Sequence, residues 1–155
     1  KKKKNMATLT TTITESIVIN GSDRGSTNTL ATTGINDTLS RQITCAHSNI
    51  TTIVEFNSSN HAAESAVDRD NVKYVRVTNL DDTVEAILGV ISGSTNYQIR
   101  LRPGASHLLY NGDDIATAEA DADPAMNAIT DDLVALEIKP ATSTDCRVEL
   151  FIASV

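Results

Sequence analysis

The amino-acid sequence predicts an all-β fold, and three observations indicate it. Thr, Ser, Asn, Asp, Val and Ile dominate the 155 residues, whereas Lys, Glu and Gln, which normally build helix surfaces, are sparse. Apolar and polar residues alternate along most segments, which is the period-two pattern of a half-buried strand. Turn-forming residues separate these segments at intervals close to the roughly 8 to 12 residues typical of sandwiches and barrels.

The first predicted strand covers residues 8–20. Its even positions carry mostly threonine, and its apolar face consists of Leu9, Ile13, Ile17 and Ile19. Two glycines within residues 20–26 can adopt positive φ, so the chain is expected to reverse there. Alternation of the same kind predicts three further strands, at residues 27–33, 38–45 and 50–56.

The second half of the chain begins with the most regular alternation. Three antiparallel strands joined by short turns form a predicted meander at residues 72–78, 84–91 and 97–102. Further strands are predicted at residues 106–110, 133–139 and 146–152. Two segments lack a period-two signal. Residues 57–71 are a loop or one short helical turn, and residues 111–132 are a long surface connection with a strand near Ile115, or else a short helix.

Together these segments predict about nine or ten short strands in a two-sheet antiparallel β-sandwich of jelly-roll-like form. The length fits one domain, which we assign to residues 7–155. Residues 1–6 form a separate leader, expected to be disordered or translated from an upstream region, because Lys and Asn codons are rich in adenine. In the second case Met6 is the start. The alternative is a basic arm that grips nucleic acid or an acidic neighbour.

The body of the chain is strongly acidic. The formal net charge is −7, and without Lys1 to Lys4 the thirteen basic residues fall to nine against twenty acidic ones, a charge of −11. Such a body repels a phosphate backbone, and five aromatic residues supply few stacking platforms for bases. No apolar stretch reaches the roughly 18 to 20 residues that span a bilayer. We therefore expect neither a nucleic-acid partner nor a membrane partner.

No catalytic template fits the sequence. It contains no Gly-x-Ser-x-Gly elbow, no phosphate-binding glycine loop, no His-Glu-x-x-His and no Cys-x-x-Cys. His47, His61 and His107 are far apart in the sequence, so we expect ordinary histidines rather than a metal site. Ser106 and His107 are neighbours whose side chains point to opposite faces of a strand. We expect no catalytic residue, no cofactor and a non-enzymatic protein.

Acidic residues concentrate in the predicted connection 111–132 and could surround a calcium ion with oxygen ligands. In an EF-hand alignment, Asp121 and Asp123 fit the first and third ligand positions and Asp132 falls at the twelfth. The match fails at Met126, where the loop needs glycine, and at Asp132, where a bidentate Glu is usual. We expect a solvated acidic loop without metal, and an irregular calcium site at these three aspartates is the alternative.

The chain has two cysteines, each on the apolar face of a predicted strand. Free cysteine is among the most buried residues and behaves as a small hydrophobe, so we expect Cys45 and Cys146 to be buried in the core. A disulfide between them is the alternative if their strands are neighbours.

Several stretches of the sequence resemble small β-rich virion proteins of tailed bacteriophages, particularly marine ones. They are ATLTTTITESIVINGSDRGSTNT, KYVRVTNLDD, NYQIRLRPGASHLLYNGDD and DCRVELFIASV, and the resemblance extends over most of the chain. It implies a capsid decoration, head or tail component that works as a symmetric homo-oligomer in contact with other virion proteins. Such a protein is assembled in the host cytoplasm and located in the virion.

Two other classes of function stay open from the sequence. One is a carbohydrate-binding or adhesion β-sandwich, which usually needs exposed aromatic side chains. Only Tyr74, Tyr97 and Tyr110 are available, and Tyr97 is predicted to point inward. The other is a self-assembling filament or tube subunit, whose contacts propagate instead of closing. The candidate contact elements are the first strand with its threonine face and the segments 57–71 and 111–132.

Overall fold

A computed structural model describes residues 6–58, 66–119 and 121–155. Within these ranges the protein is all-β, as the sequence predicts, with thirteen strands and a short 3-10 turn at Arg69–Asn71. The Asp68 carboxylate caps this turn by accepting the backbone N–H of Asp70 at 3.3 Å. In the described part of the chain, no helix is long and apolar enough to cross a membrane.

Residues 7–35 form a β-hairpin, which we call the arm. Its strands are β1 (Ala7–Thr14), β2 (Val18–Ile19), β3 (Ser22–Asp23) and β4 (Thr27–Ile35). β1 pairs antiparallel with β4, and β2 pairs antiparallel with β3 at the tip. Neither pair is hydrogen-bonded into a larger sheet. The arm is therefore a two-stranded ribbon that precedes the rest of the fold.

The remaining nine strands form two sheets. They are β5 (Asp37–Cys45), β6 (Thr51–Asn57), β7 (Ala66–Asp68), β8 (Val72–Asn79), β9 (Ala86–Ser92), β10 (Asn96–Leu101), β11 (Ser106–Leu109), β12 (Leu133–Pro140) and β13 (Cys146–Ser154). One sheet has the order β11-β8-β13-β5, and the other has the order β10-β9-β12-β6-β7. All neighbours are antiparallel except β6 and β7, which are parallel.

Four of the antiparallel pairs are nested in the sequence. The innermost pair is β9 with β10, followed outward by β8 with β11, β6 with β12, and β5 with β13. Successive pairs alternate between the two sheets. The chain from β5 to β13 is thus a long hairpin that is folded back about the β9–β10 turn and wrapped into two layers.

The main hydrophobic core lies between the two sheets. It takes alternate residues from the strands, as the period-two pattern predicts, and among them are Val75, Val77, Leu88, Val90, Leu136, Ile138, Leu150 and Ile152. Because both sheets contribute to one cluster, they pack as the two layers of a β-sandwich. Each fully buried side chain of this kind stabilises the fold by roughly 1.5–3 kcal/mol.

A second, smaller cluster attaches the arm to the sandwich. Tyr74 and Ala153 are buried on the outer face of the four-stranded sheet, where they pack with Ile35 and Leu9 of the arm. The Tyr74 ring meets the Phe151 ring edge to face, with centroids 6.0 Å apart. This cluster fixes the base of the arm against the sandwich.

Most of the predicted strands agree with the observed ones to within two residues at each end. The predicted strand at 8–20 is wrong in its length, because residues 15–17 leave the ladder at a bend between β1 and β2. No strand forms near Ile115, where the chain makes an isolated bridge between Ala116 and Asp131. The described strands outnumber the nine or ten expected because the predicted first strand divides into β1 and β2, and β3 and β7 form in segments predicted as a turn and a loop.

Candidate interaction surface

The turn at the tip of the arm is specified by its sequence. Asn20 and Gly21 connect β2 to β3, and both have positive φ angles, 51° and 76°. A two-residue hairpin turn of this kind suits Asn-Gly, because these residues adopt the left-handed region at low cost. The turn therefore fixes the register of the arm tip.

One face of the arm is a ladder of threonines. Thr12 lies opposite Thr29 and Thr14 lies opposite Thr27, with hydroxyl oxygens 3.2 and 3.3 Å apart. The remaining exposed members of this face are Thr8, Thr10, Ala31 and Thr33. Hydrogen-bonded Thr pairs stabilise neighbouring strands across a ladder. The threonine face predicted for the first strand is thus present, and β4 doubles it.

The opposite face of the arm mixes apolar and polar residues, and its distal apolar side chains and the tip are exposed. Ile13 and Leu30 are 42% and 49% exposed, and at the tip Ile17, Val18 and Ile19 are 50%, 69% and 50% exposed. The sequence predicted a half-buried strand here, which is correct for Leu9 and wrong for the distal isoleucines. The reason is that the small outer cluster, which buries part of the arm, includes Leu9 and Ile35 at its base but none of the distal isoleucines.

A bend separates the tip from the base of the arm. The backbone N–H of Glu15 donates to the carbonyl of Ser26 at 2.8 Å, and the Ser26 hydroxyl donates to the Glu15 carboxylate at 2.8 Å. Gly25 lies so close to this crossing that a Cβ would stand 1.9 Å from the Glu15 carbonyl oxygen. Only glycine fits at this position, so the sequence itself specifies the bend.

The connection between β11 and β12 is pinned at its base by acidic side chains. Asp131 accepts hydrogen bonds from the hydroxyl and the backbone N–H of Ser94 at 2.7 and 3.2 Å. Asp132 forms an ion pair with Arg69 at 2.7 Å and accepts the backbone N–H of Asp114 at 3.2 Å. The hydrogen bonds from Ser94 lower the pKa of Asp131. These two aspartates therefore hold the loop against the sandwich.

Further along the same connection, Met126 is displayed at the surface. The Glu119 carboxylate accepts the backbone N–H groups of Ala125 and Asn127 at 2.9 and 3.1 Å. Between them Met126 has a φ of 52° and is 81% exposed. A non-glycine residue in the left-handed region costs free energy, so a clamp such as Glu119 is needed to hold it. Met126 is thus a second exposed apolar side chain, and its unbranched thioether is flexible.

The calcium candidates do not assemble. Asp132 is engaged by Arg69, and Asp121 and Asp123 are exposed. Among residues 6–58, 66–119 and 121–155, no group of three or more His, Cys, Asp or Glu side chains could hold a metal ion. The described residues thus bring no calcium ligands together around Asp121, Asp123 and Asp132.

The histidines and Ser106 lie in separate surroundings. His47 contacts the Asp145 carboxylate through Nδ1 at 2.7 Å, and His107 meets the ring of Tyr97 edge to face. Burial lowers the pKa of His107. The Ser106 hydroxyl lies 2.8 Å from that of Thr78, on the face opposite His107. His61 lies outside the described residues, as does the leader before Met6.

The sequence-based reading missed two groups of residues. It placed Ile17, Val18 and Ile19 in a strand packed on the body, although the tight Asn20-Gly21 turn already signalled a narrow hairpin. It also left open whether Cys45 and Cys146 meet, because a pairing register over so long a separation has no local signal. Both cysteines are buried, at 0% and 1% exposure, and each is the register partner of the other.

The chain was compared with protein-family models, curated proteins and solved structures, and none of the three comparisons found a match.

Proposed function

We propose that this chain is a non-enzymatic structural protein of a tailed-phage virion, a capsid decoration, head or tail component that acts through repeated protein–protein contacts. The observation that carries the proposal is the arm, which extends an exposed apolar tip of Ile17, Val18 and Ile19 from a compact sandwich. An exposed apolar element of this kind typically marks a contact with another protein.

We further propose that the sandwich is a jelly roll. When β5, β6 and β8 to β13 are numbered one to eight in chain order, their order is 1-8-3-6 in one sheet and 2-7-4-5 in the other. This is the order obtained when a long hairpin is rolled up so that its nested pairs alternate between layers. Jelly rolls of eight strands occur in viral capsid proteins and also in lectins. The fold therefore agrees with a virion protein but does not by itself select one.

The physical state of the arm favours an assembly role. A two-stranded hairpin is marginally stable in water unless it packs on something. The base of this arm packs on the sandwich through Leu9 and Ile35, and Tyr110 lies beside its middle, but the tip residues stay exposed. Both ribbon edges also carry unpaired backbone groups, which are ready templates for pairing with another chain. We infer that a neighbouring subunit of the particle covers the tip and its apolar face.

The tyrosines favour assembly over carbohydrate binding. Tyr74 is 6% exposed and belongs to the outer cluster, and Tyr97 is half-buried against the main core. Burial raises the pKa of Tyr97. Tyr110 alone is exposed, beside Ile13 and Leu30 of the arm. Sugar-binding sites usually offer more than one aromatic platform, so the arm is the stronger candidate surface.

The self-association part is tested by light scattering and negative-stain microscopy of residues 6–155. We expect oligomers, closed or filamentous, that dissociate in the triple variant Ile17→Ser, Val18→Ser, Ile19→Ser. The matched control is Ile50→Ser, which changes an isoleucine that is 61% exposed outside the arm. Assembly that survives the triple variant, or a wild-type protein that is monomeric at high concentration, would remove the arm tip as a self-contact.

The virion part is tested separately, by mass spectrometry of purified particles of the virus that encodes this chain. Peptides of the sandwich should be present in stoichiometric amounts in intact particles. Their presence in infected-cell lysate but not in particles would overturn the virion assignment, whatever the oligomeric state of the isolated protein.

A further inference from the structure

Cys45 and Cys146 occupy a special place in the fold. Cys45 is the last residue of β5, Cys146 is the first residue of β13, and the two are directly opposite in the antiparallel ladder. β5 and β13 are the outermost of the four nested pairs. A covalent link here would close a loop that contains every other strand of the sandwich.

The geometry of an antiparallel ladder suits a disulfide. Directly opposite residues have Cα atoms about 4.5 to 5.5 Å apart, which lies inside the roughly 4.4 to 6.8 Å range of disulfides. Both side chains face the main core. In the structure both cysteines are free thiols.

We propose that Cys45 and Cys146 are an oxidisable pair that forms a cross-strand disulfide when the protein meets a small-molecule disulfide such as oxidised glutathione. One cysteine attacks the reagent and forms a mixed disulfide, and one glutathione thiol leaves. The second cysteine then attacks the first and expels the other glutathione thiol. The protein loses two thiol hydrogens and two electrons, and the reagent is reduced to two thiols.

Access to the pair is controlled at the end of the strands. The backbone N–H and Nδ1 of His47, two residues after Cys45, both contact the carboxylate of Asp145, the residue before Cys146, at 2.9 and 2.7 Å. Cys146 also lines a surface cleft with Asp81 and Asp145. Exchange therefore needs local opening of one sheet end and not global unfolding.

The folded thiols are expected to react slowly. Burial first, and then the charges of Cys45, Asp81 and Asp145, raise the pKa of Cys146 to about 11. Because the thiolate is the nucleophile, few molecules are reactive at neutral pH in the closed state. The pair therefore stays reduced in a reducing cytoplasm and oxidises gradually in an oxidising medium.

The disulfide is expected to stabilise the whole sandwich against unfolding. A disulfide stabilises mainly by restricting the unfolded chain, and its effect grows with the length of the loop it closes. For a loop that spans most of this domain, we expect the oxidised protein to melt roughly 5 to 15 °C above the reduced protein.

The experiment compares the full chain after incubation with oxidised or with reduced glutathione. Alkylation in denaturant should find no free thiol in the oxidised sample, the mass should fit an intramolecular bond, and the melting temperature should rise. Cys45→Ala, which leaves one thiol, should show no such rise. Persistent free thiols, an intermolecular bond, or an oxidised form that melts no higher than the reduced one would each overturn the proposal.

The rate of disulfide formation tests whether the strand end controls access to the two thiols. Asp145→Ala removes the contact with His47 and should speed oxidation several-fold without changing the product. Glu55→Ala, which removes an exposed carboxylate on β6, is the matched control and should leave the rate unchanged. Equal rates in the two variants would contradict the role of the strand end as the access route.

Discussion

At the scale of single residues, Asn79 connects three parts of the fold. It is fully buried, and its amide nitrogen donates to the carbonyls of Val84 and Leu101 at 2.8 and 3.0 Å. Its side-chain oxygen accepts the backbone N–H of Asp81 at 3.0 Å. A buried polar group is tolerated only when its hydrogen bonds are made, and this amide satisfies backbone groups of the β8–β9 turn and of β10 together.

We therefore predict that Asn79→Ala destabilises the protein by about 2 to 3 kcal/mol, because it leaves buried carbonyls without a donor. Denaturant unfolding followed by circular dichroism measures the change. Asn28→Ala, which alters an exposed amide on the arm, is the control and should cost less than about 0.5 kcal/mol. A similar small cost at both positions would mean that water replaces the lost amide of Asn79.

Asp81, in the same turn, is expected to make the stability of the protein depend on pH. Its carboxylate accepts the backbone N–H groups of Thr83 and Val84 at 3.0 and 2.8 Å, and these bonds lower its pKa in the folded state. A carboxyl with a lowered folded pKa stabilises the protein above its unfolded pKa of about 3.9, and this stabilisation is lost as the pH falls through the folded value.

Asp81→Asn should accordingly lower the melting temperature at about pH 7, and this effect should shrink as the pH falls through the lowered folded pKa of the wild-type carboxyl. Melting curves of both proteins across this range measure the difference. If the gap between them is the same at every pH, the charge of Asp81 contributes nothing and only its hydrogen-bonding shape matters.

At the scale of elements, the arm and the sandwich are expected to respond independently. Gly25→Ala places a Cβ against the Glu15 carbonyl and cannot be accommodated without moving the bend. We predict that amide hydrogen exchange rises in residues 15–26, while the main melting transition shifts by less than about 2 °C, because the sandwich core is untouched.

Gly93→Ala is the matched control, since its added Cβ meets no atom within 4 Å. It should change neither exchange in the arm nor the melting temperature beyond the ordinary range of surface substitutions. A large loss of global stability in Gly25→Ala would show that the arm is part of the folding unit. If the orientation of the tip matters for contact, the oligomers expected in light scattering should also weaken in Gly25→Ala.

At the scale of the whole molecule, the sequence contains the strands but not their pairing. Period-two alternation in residues 72–78 and 146–152 follows from burial of one face, so it predicts the strands and their core residues such as Val77 and Leu150. It does not determine which strand lies next to which. The meander predicted at residues 72–78, 84–91 and 97–102 is wrong in its first step, because β8 lies in a different sheet from β9 and β10. The placement of β13 between β8 and β5 depends on the total packing of both layers.

For the same reason, the sequence predicts only part of the candidate interaction surface. The threonine face of β1 is visible in the sequence because it is local. The exposure of Ile17 and Ile19 is not, because an apolar face is buried only where a partner element exists, and the outer cluster at the base of the arm includes neither residue. The turn around Met126 depends on hydrogen bonds from two backbone N–H groups to the Glu119 carboxylate. The alternation of apolar and polar residues does not predict these bonds.

Because the strand pairs are nested, the two ends of the chain contribute differently to the fold. Removing β13 and removing most of the arm should therefore have different effects on folding. Removal of residues 146–155 takes away the strand between β8 and β5, together with the buried residues Cys146, Val148, Leu150 and Ile152. The truncated chain should not fold, because the first strand of the sandwich then has no partner. A chain that begins at Gly34 keeps all eight nested strands and Ile35, and it should fold, with exposure of Tyr74 where Leu9 is lost.

Near-ultraviolet circular dichroism and the cooperativity of melting distinguish the two truncations. Adding a synthetic peptide of residues 146–155 during refolding of the chain that lacks them should restore the fold, because an unpaired gap between two edges accepts a strand of the right register. Recovery with the native peptide but not with one in which Val148, Leu150 and Ile152 are changed to Ser would show that the core residues select it. If the chain from Gly34 fails to fold while the chain without residues 146–155 succeeds, the arm and not the wrapped hairpin organises the domain.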